Sequence, residues 1–214
     1  MRGKFITFEG PDGSGKSSHL QRTVAWLTER GMPCLTTKEP GGTELGDALR
    51  SVFLDPRWGT LDGTIELLLV FASRRQNLLE RIDPALAAGT HVLCDRFTDS
   101  TIAYQGGGRG VPRELIDRVD ELATGSRRPD HTLLFDLPPE VARQRGHLQR
   151  GGSDRLDAEG LDFYGRVRDS FLAEARRDSQ RIRVIDSSGT FERTEYQTRS
   201  VLEEIFGAGA RMES

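Results

Sequence analysis

The sequence is poor in cysteine, has no long apolar run and carries almost no excess charge. Only two cysteines occur in 214 residues, Cys34 and Cys94. They stand far apart, form no CxxC pair and lie in or beside short apolar runs, so reduced thiols are expected rather than a disulfide framework. The four histidines, His19, His91, His131 and His147, have no metal-ligand spacing, which argues against a structural zinc site. The longest apolar run, Leu67 to Ala72, falls far short of the roughly 20 residues that a membrane span needs. Residues 5–8 are too short an apolar stretch for a secretory signal. No membrane association is expected, and the cytoplasm is the expected compartment. Net charge is −3, from 30 basic and 33 acidic residues. That balance gives no bulk reason to expect nucleic-acid binding, so any anionic ligand must be held by local basic clusters.

What is present is an alternation of short apolar runs and longer amphipathic segments. Strands are expected at residues 4–9, 33–37, His91–Asp95, His131–Asp136 and 181–186. Helices are expected at residues 17–30, 44–53, 64–82, Arg113–Thr124, Pro139–Gln149, 160–178 and 192–206. This order predicts one α/β domain over residues 1–214, with a five-stranded parallel sheet flanked by helices. The 24 glycines cluster at residues 10–15, 41–46, 106–110 and 151–152. Three of these clusters follow expected strands, closely or at some distance, where open α/β sheets bind ligands.

The sharpest motif is Gly10-Pro11-Asp12-Gly13-Ser14-Gly15-Lys16-Ser17, which fits G-x-x-x-x-G-K-[ST] between a strand and a helix. Glycines let the backbone wrap phosphate oxygens, and the helix start directs N–H groups at the anion. Lys16 is placed to reach β- and γ-phosphates, and Ser17 to ligate Mg²⁺. The chain is therefore expected to bind ATP in this loop. A buried strand ends in Asp95-Arg96, an acid suited to Mg²⁺ and a planar fork suited to phosphate. Glu39-Pro40-Gly41-Gly42-Thr43 forms a second loop at the same sheet edge and suggests a second substrate. Phe71 shares a helical face with Arg74 and Arg75, a pairing suited to a planar base. Arg143, Arg145, Arg150 and Arg155, interleaved with glycines, look like a lid over about residues 143–156. No N-K-x-D motif for reading guanine stands at Thr36-Thr37-Lys38-Glu39. A small-molecule kinase fits better than a GTPase or a motor.

These segments together resemble the thymidylate kinase family, in its bacterial type with an arginine-rich lid. The resemblance rests on residues 5–10 running into the phosphate loop, on residues 39–43, and on Asp95-Arg96-Phe97-Thr98-Asp99-Ser100-Thr101-Ile102-Ala103-Tyr104-Gln105-Gly106-Gly107-Gly108-Arg109-Gly110. It implies a P-loop nucleoside-monophosphate-kinase-like fold, transfer of a phosphoryl group from ATP to dTMP with Mg²⁺ in dTTP synthesis, and a homodimer. It further implies that Asp12, Glu39, Pro40, Phe71, Arg74, Arg96, Ser100, Thr101, Tyr104 and Gln105 bind dTMP, with Glu39 near the lysine of the phosphate loop. Gly10 to Ser17, Arg143 and the Asp186 turn would bind ATP. Lys16, Asp95, Arg96, Arg150 and Arg155 would be catalytic, and Ser17 and Asp95 would hold the metal. The family spacing leaves the base-binding pair open by one residue. Aligning on Arg74 puts Val70 at the stacking position, whereas aligning on Phe71 makes Arg75 the partner. The phosphate loop lacks the extra arginine of some relatives, which directs catalytic charge to the lid. Two other readings stay open: a related P-loop kinase for another nucleotide or nucleoside, and a non-catalytic ATP-binding protein.

Overall fold

Five parallel strands in the order β2-β3-β1-β4-β5 form the centre of the molecule. They are β1 (Phe5–Glu9), β2 (Cys34–Lys38), β3 (His91–Asp95), β4 (His131–Asp136) and β5 (Ile182–Asp186). The computed structural model of the chain describes residues 2–149 and 155–207. Every residue of β1 is buried, as its central place requires. Its side chains alternate between the two faces of the sheet. Ile6 and Phe8 join Leu93, Leu133, Phe135 and Ile185 in a core cluster beneath α1 (Lys16–Thr28) and α9 (Phe191–Phe206). Phe5 faces the other way, against Leu78, Ile82, Val92, Cys94 and Phe97. Glu9 is in phase with Phe5, so its carboxyl group enters that same layer.

The second layer contains α3 (Gly63–Asn77), α4 (Asp83–Ala87), α5 (Thr98–Thr101) and α8 (Leu161–Arg177). The remaining helices are α2 (Glu44–Leu54), α6 (Arg113–Thr124) and α7 (Pro139–Gln149). The limits of β3, β4, α6 and α7 coincide with those expected from the sequence. The helix expected over residues 64–82 is instead α3 followed by a π-helical stretch, Leu78–Ile82. A second π-helical stretch, Ile102–Gly108, continues α5 in a region where no helix was expected. Tight packing explains the glycines of this stretch. A Cβ on Gly107 would come within 2.6 Å of Ser170 Cβ, and one on Gly108 within 2.5 Å of the Phe163 ring.

Register brings the chemistry to one edge. Phe8 pairs with Asp95, and Lys38 pairs with Asp95 from the other side. The loops that leave β1, β2 and β3 therefore emerge side by side at the carboxyl edge, around the place where strand order reverses about β1.

Candidate active site

Two adjoining sub-sites occupy this edge. The first is the loop from Gly10 to Ser17. Gly10 has φ of +128°, and a Cβ there would lie 2.3 Å from the Phe135 carbonyl oxygen, so only glycine lets the chain leave β1 at this angle. Gly15, in the left-handed region, precedes the first turn of α1. Lys16 is buried, and its Nζ donates to the Pro11 carbonyl at 2.8 Å. Burial and the neighbouring Arg96 push the Lys16 ammonium down to about 8, against the opposing pull of Asp12, Asp95 and Glu9. Ser17 is exposed, and its hydroxyl donates to Asp95 Oδ2 at 3.0 Å. Two oxygen donors side by side at an open edge are a set that would suit a hard cation such as Mg²⁺.

The second sub-site is a half-open cleft beside the phosphate loop. Its polar lining includes Asp12, Glu39, Arg50, Arg74, Arg96 and Gln105. Phe53, Leu54, Val70, Tyr104 and Leu156 supply apolar walls, and Pro40, Ser100 and Thr101 also reach it.

Arg96 joins the two sub-sites. Its Nη1 donates to the Gly10 carbonyl at 2.9 Å and to Ser100 Oγ at 3.1 Å, and its Nη2 to Asp12 Oδ1 at 2.8 Å. Burial opposes its charge, but Tyr104, Asp12, Asp95 and Glu9 outweigh that and keep the guanidinium firmly protonated. Arg96 has φ of +72°, a strained position for a side-chain-bearing residue. Glu9 holds the backbone there. Its carboxyl accepts from Phe97 N at 2.7 Å and bonds the Ser100 hydroxyl. Burial, then the nearby Asp99, push the Glu9 carboxyl up to about 8. Glu9 was not among the sequence-derived site residues. Its burial beside the phosphate loop was readable only through the two-residue period of β1.

On the far wall, α3 presents Val70 and Arg74, with Glu66 and Asn77 buried along the same stripe. Arg74 Nε donates to Glu39 Oε2 at 2.5 Å and its Nη2 to Thr101 Oγ1 at 3.0 Å, while Asn77 donates to Glu39 Oε1 at 3.1 Å. Glu39, expected near the lysine of the phosphate loop, is thus bonded to Arg74 and Asn77 instead. Burial raises its carboxyl group, and Arg74 draws it back.

Two further expectations are corrected by this geometry. Phe71 does not face the cleft. It is 2% exposed and packs with Leu67, Ile102, Val111 and Ile116, with the Arg74 guanidinium 4.6 Å from its ring centroid. Val70 lines the cleft in its place, together with Arg74, and the exposed Arg75 donates to the Ala123 carbonyl. Arg155 is not an open lid cation reaching for ATP. It is 3% exposed, donating to Glu66 Oε1 at 2.6 Å and to the Phe53 carbonyl at 3.1 Å. Arg150 lies outside the described residues. Arg143 is exposed on α7. Its neighbour Arg145 ties α7 to the turn after β5, donating to the Ser187 carbonyl at 2.8 Å. Asp186 stabilises that turn by accepting from Ser188 N at 3.0 Å. Arg50, Phe53 and Leu156 were missed as lining residues, because nothing in their local sequence marks them.

A family model for thymidylate kinase matches residues 8–197. The chain belongs to the thymidylate kinase family. A thymidylate kinase of Chromobacterium violaceum is 50% identical over 188 residues, covering 87% of each chain. One from a Marinomonas strain is 41% identical, over 98% of this chain and 99% of its own. The crystal structure of thymidylate kinase from Ehrlichia chaffeensis superposes with a TM-score of 0.76 at 33% identity, over 95% of this chain and 99% of that one. The five-stranded parallel sheet flanked by helices is the fold expected from the family resemblance.

Proposed function

We propose that this chain transfers the γ-phosphoryl group of ATP to the phosphate of dTMP, giving ADP and dTDP. The observation that carries the reading is the bridge made by Arg96 and Asp12. Both line the cleft; Asp12 belongs to the loop that would hold the donor phosphates, and Arg96 bonds that loop at Asp12 and at the Gly10 carbonyl. A phosphate seated on Arg96 would lie beside one seated on Lys16, since both side chains reach Asp12, and in-line transfer between two phosphates requires such an arrangement. The acceptor oxygen is already anionic near neutral pH, so no strong base is needed. Lys16 and Arg96 supply positive charge where the transferring group gains negative charge. Ser17 and Asp95 would hold Mg²⁺, which neutralises phosphate charge when bound. Arg50, on the cleft wall, adds a second cation for the acceptor phosphate. Tyr104, whose hydroxyl lies 3.4 Å from Arg96 Nη2, would press on the sugar and disfavour a ribose. Val70, Phe53 and Leu54 offer an apolar bed for the base, and Arg74 a donor for its edge. The Asp186–Gly189 turn would border adenine, with Arg145 fixing its carbonyls.

The test is an acceptor panel with ATP and Mg²⁺: dTMP, dUMP, UMP, CMP, AMP and thymidine. dTMP is expected to give the highest kcat/KM. A better turnover of another acceptor would point to the sister-kinase reading, and ATP binding without any transfer to the non-catalytic one.

The chain also acts as a homodimer in this proposal. Leu45 and Val52 on α2, Ile65 and Leu68 on α3, and Leu122 on α6 are exposed, on three helices packed side by side. Apolar residues grouped in this way favour a partner surface over solvent. A cytoplasmic site of action agrees with the free thiols Cys34 and Cys94. Among the described residues, no helix is long and apolar enough to cross a membrane.

A further inference from the structure

Glu66 lies beneath the acceptor cleft without lining it. It is fully buried in the first turn of α3 and gathers three partners from distant parts of the chain. Arg155 Nη1 and Arg109 Nε donate to its Oε1 at 2.6 and 3.0 Å. Gln105 Nε2 donates to its Oε2 at 2.8 Å. Gln105, in contrast, does line the cleft, and among the described residues its side-chain oxygen accepts no hydrogen bond.

An amide can present either end to a ligand, and its neighbours decide which. A carboxylate only accepts, so the NH₂ end of Gln105 must face Glu66. Turning the amide over would set two oxygens against each other at hydrogen-bond distance. The two guanidiniums on Oε1 in turn hold Glu66 in place. The cleft therefore receives the Gln105 carbonyl oxygen, an acceptor that calls for a donor on the ligand.

We propose that Glu66 is a specificity-determining positioning residue: by fixing the Gln105 amide, it selects an acceptor base with a ring N–H over one with a bare ring nitrogen. This rests on the acceptor reading above. Thymine carries N3–H between two carbonyls, and so offers that donor. Cytosine carries a lone pair at N3 and would meet the Gln105 oxygen in repulsion. Arg74 adds to the selection, because its Nη1 is buried without a partner and can donate to a carbonyl but not to an amino group. Discrimination should thus weaken, but not invert, when Glu66 is changed.

The test compares kcat/KM for dTMP and dCMP, with ATP, in the full-length wild-type protein, Glu66→Gln and Gln105→Met. A glutamine at position 66 can accept or donate, which frees the Gln105 amide to turn. The dTMP/dCMP ratio is expected to fall by about 10- to 100-fold, the scale of leaving one buried polar group mismatched. Most of the loss should appear in KM for dTMP. An equal loss on both substrates would mean that Glu66 only props the fold, and would overturn the proposal. If Glu66→Gln does not fold, Gln105→Met decides, because it leaves Glu66 and both arginines in place. It must narrow the ratio similarly, and a wild-type ratio there overturns the proposal. Where both variants fold, adding Glu66→Gln to Gln105→Met must leave the ratio unchanged, and additive narrowing counts against the amide mechanism. A wild-type protein inert toward dTMP would sink the acceptor reading itself. Wild-type turnover with unaltered ratios in both variants sinks only the role of Glu66.

Discussion

Lys16 sits buried among Arg96, Asp12 and Asp95, with its ammonium pushed down to about 8. Without ATP it loses its proton as pH rises through that value, whereas bound phosphates would hold the proton on. We therefore expect kcat/KM for ATP to decline above about pH 8, with kcat sustained to higher pH, because the first reports the free enzyme and the second the bound one. A flat kcat/KM profile from pH 7 to 10 would contradict this assignment. Phe71 gives a second residue-scale expectation. As a buried core ring, its replacement in Phe71→Ala should cost roughly 3–5 kcal/mol of stability, read by denaturant unfolding. An unchanged unfolding midpoint with a raised KM for dTMP would return Phe71 to the cleft. The sequence could not choose between Phe71 and Val70 because α3 is buried on two faces, where spacings of three and four residues fit either. Arg155 was misread for a related reason. Its partner Glu66 is 89 residues away, and no local pattern announces the pair.

Among the elements, the strands were the most legible. β3 and β4 show short apolar runs that end in an acid, and their limits needed no adjustment. The π-helical stretch Ile102–Gly108 was not legible, since three successive glycines ordinarily mark a loop. Here close approach to α8 overrides that preference. The junction of β1 with the turn after β3 also depends on tertiary contact, through Glu9. Its carboxyl is raised from 4.5 to about 8 in the fold, so the folded state holds the extra proton between those values. That contribution to stability is complete below pH 4.5 and is lost as pH rises to about 8. A Glu9→Gln variant keeps a neutral group able to accept from Phe97 N and to bond Ser100. Its melting temperature relative to wild type should therefore improve between pH 5 and pH 8.5. A difference independent of pH would refute the raised value.

At the scale of the whole molecule, the parallel sheet brings loops from β1, β2 and β3 to one edge, and α2, α3 and α5 with its π-helical continuation line the cleft beside them. Leu45 of α2, Leu68 of α3 and Leu122 of α6 are exposed, and the homodimer proposal would cover them. Leu68→Asp should convert a dimer into a monomer by light scattering coupled to gel filtration, and a wild-type monomer would remove the dimer from the proposal. The central claim is that donor and acceptor phosphates meet between Lys16 and Arg96. Its most direct test is to follow dTDP and ADP together, by chromatography, from dTMP, ATP and Mg²⁺. The account predicts one dTDP for each ADP, with Lys16→Ala slower in kcat by at least about 100-fold. ADP without dTDP, or near wild-type turnover by Lys16→Ala, would contradict it.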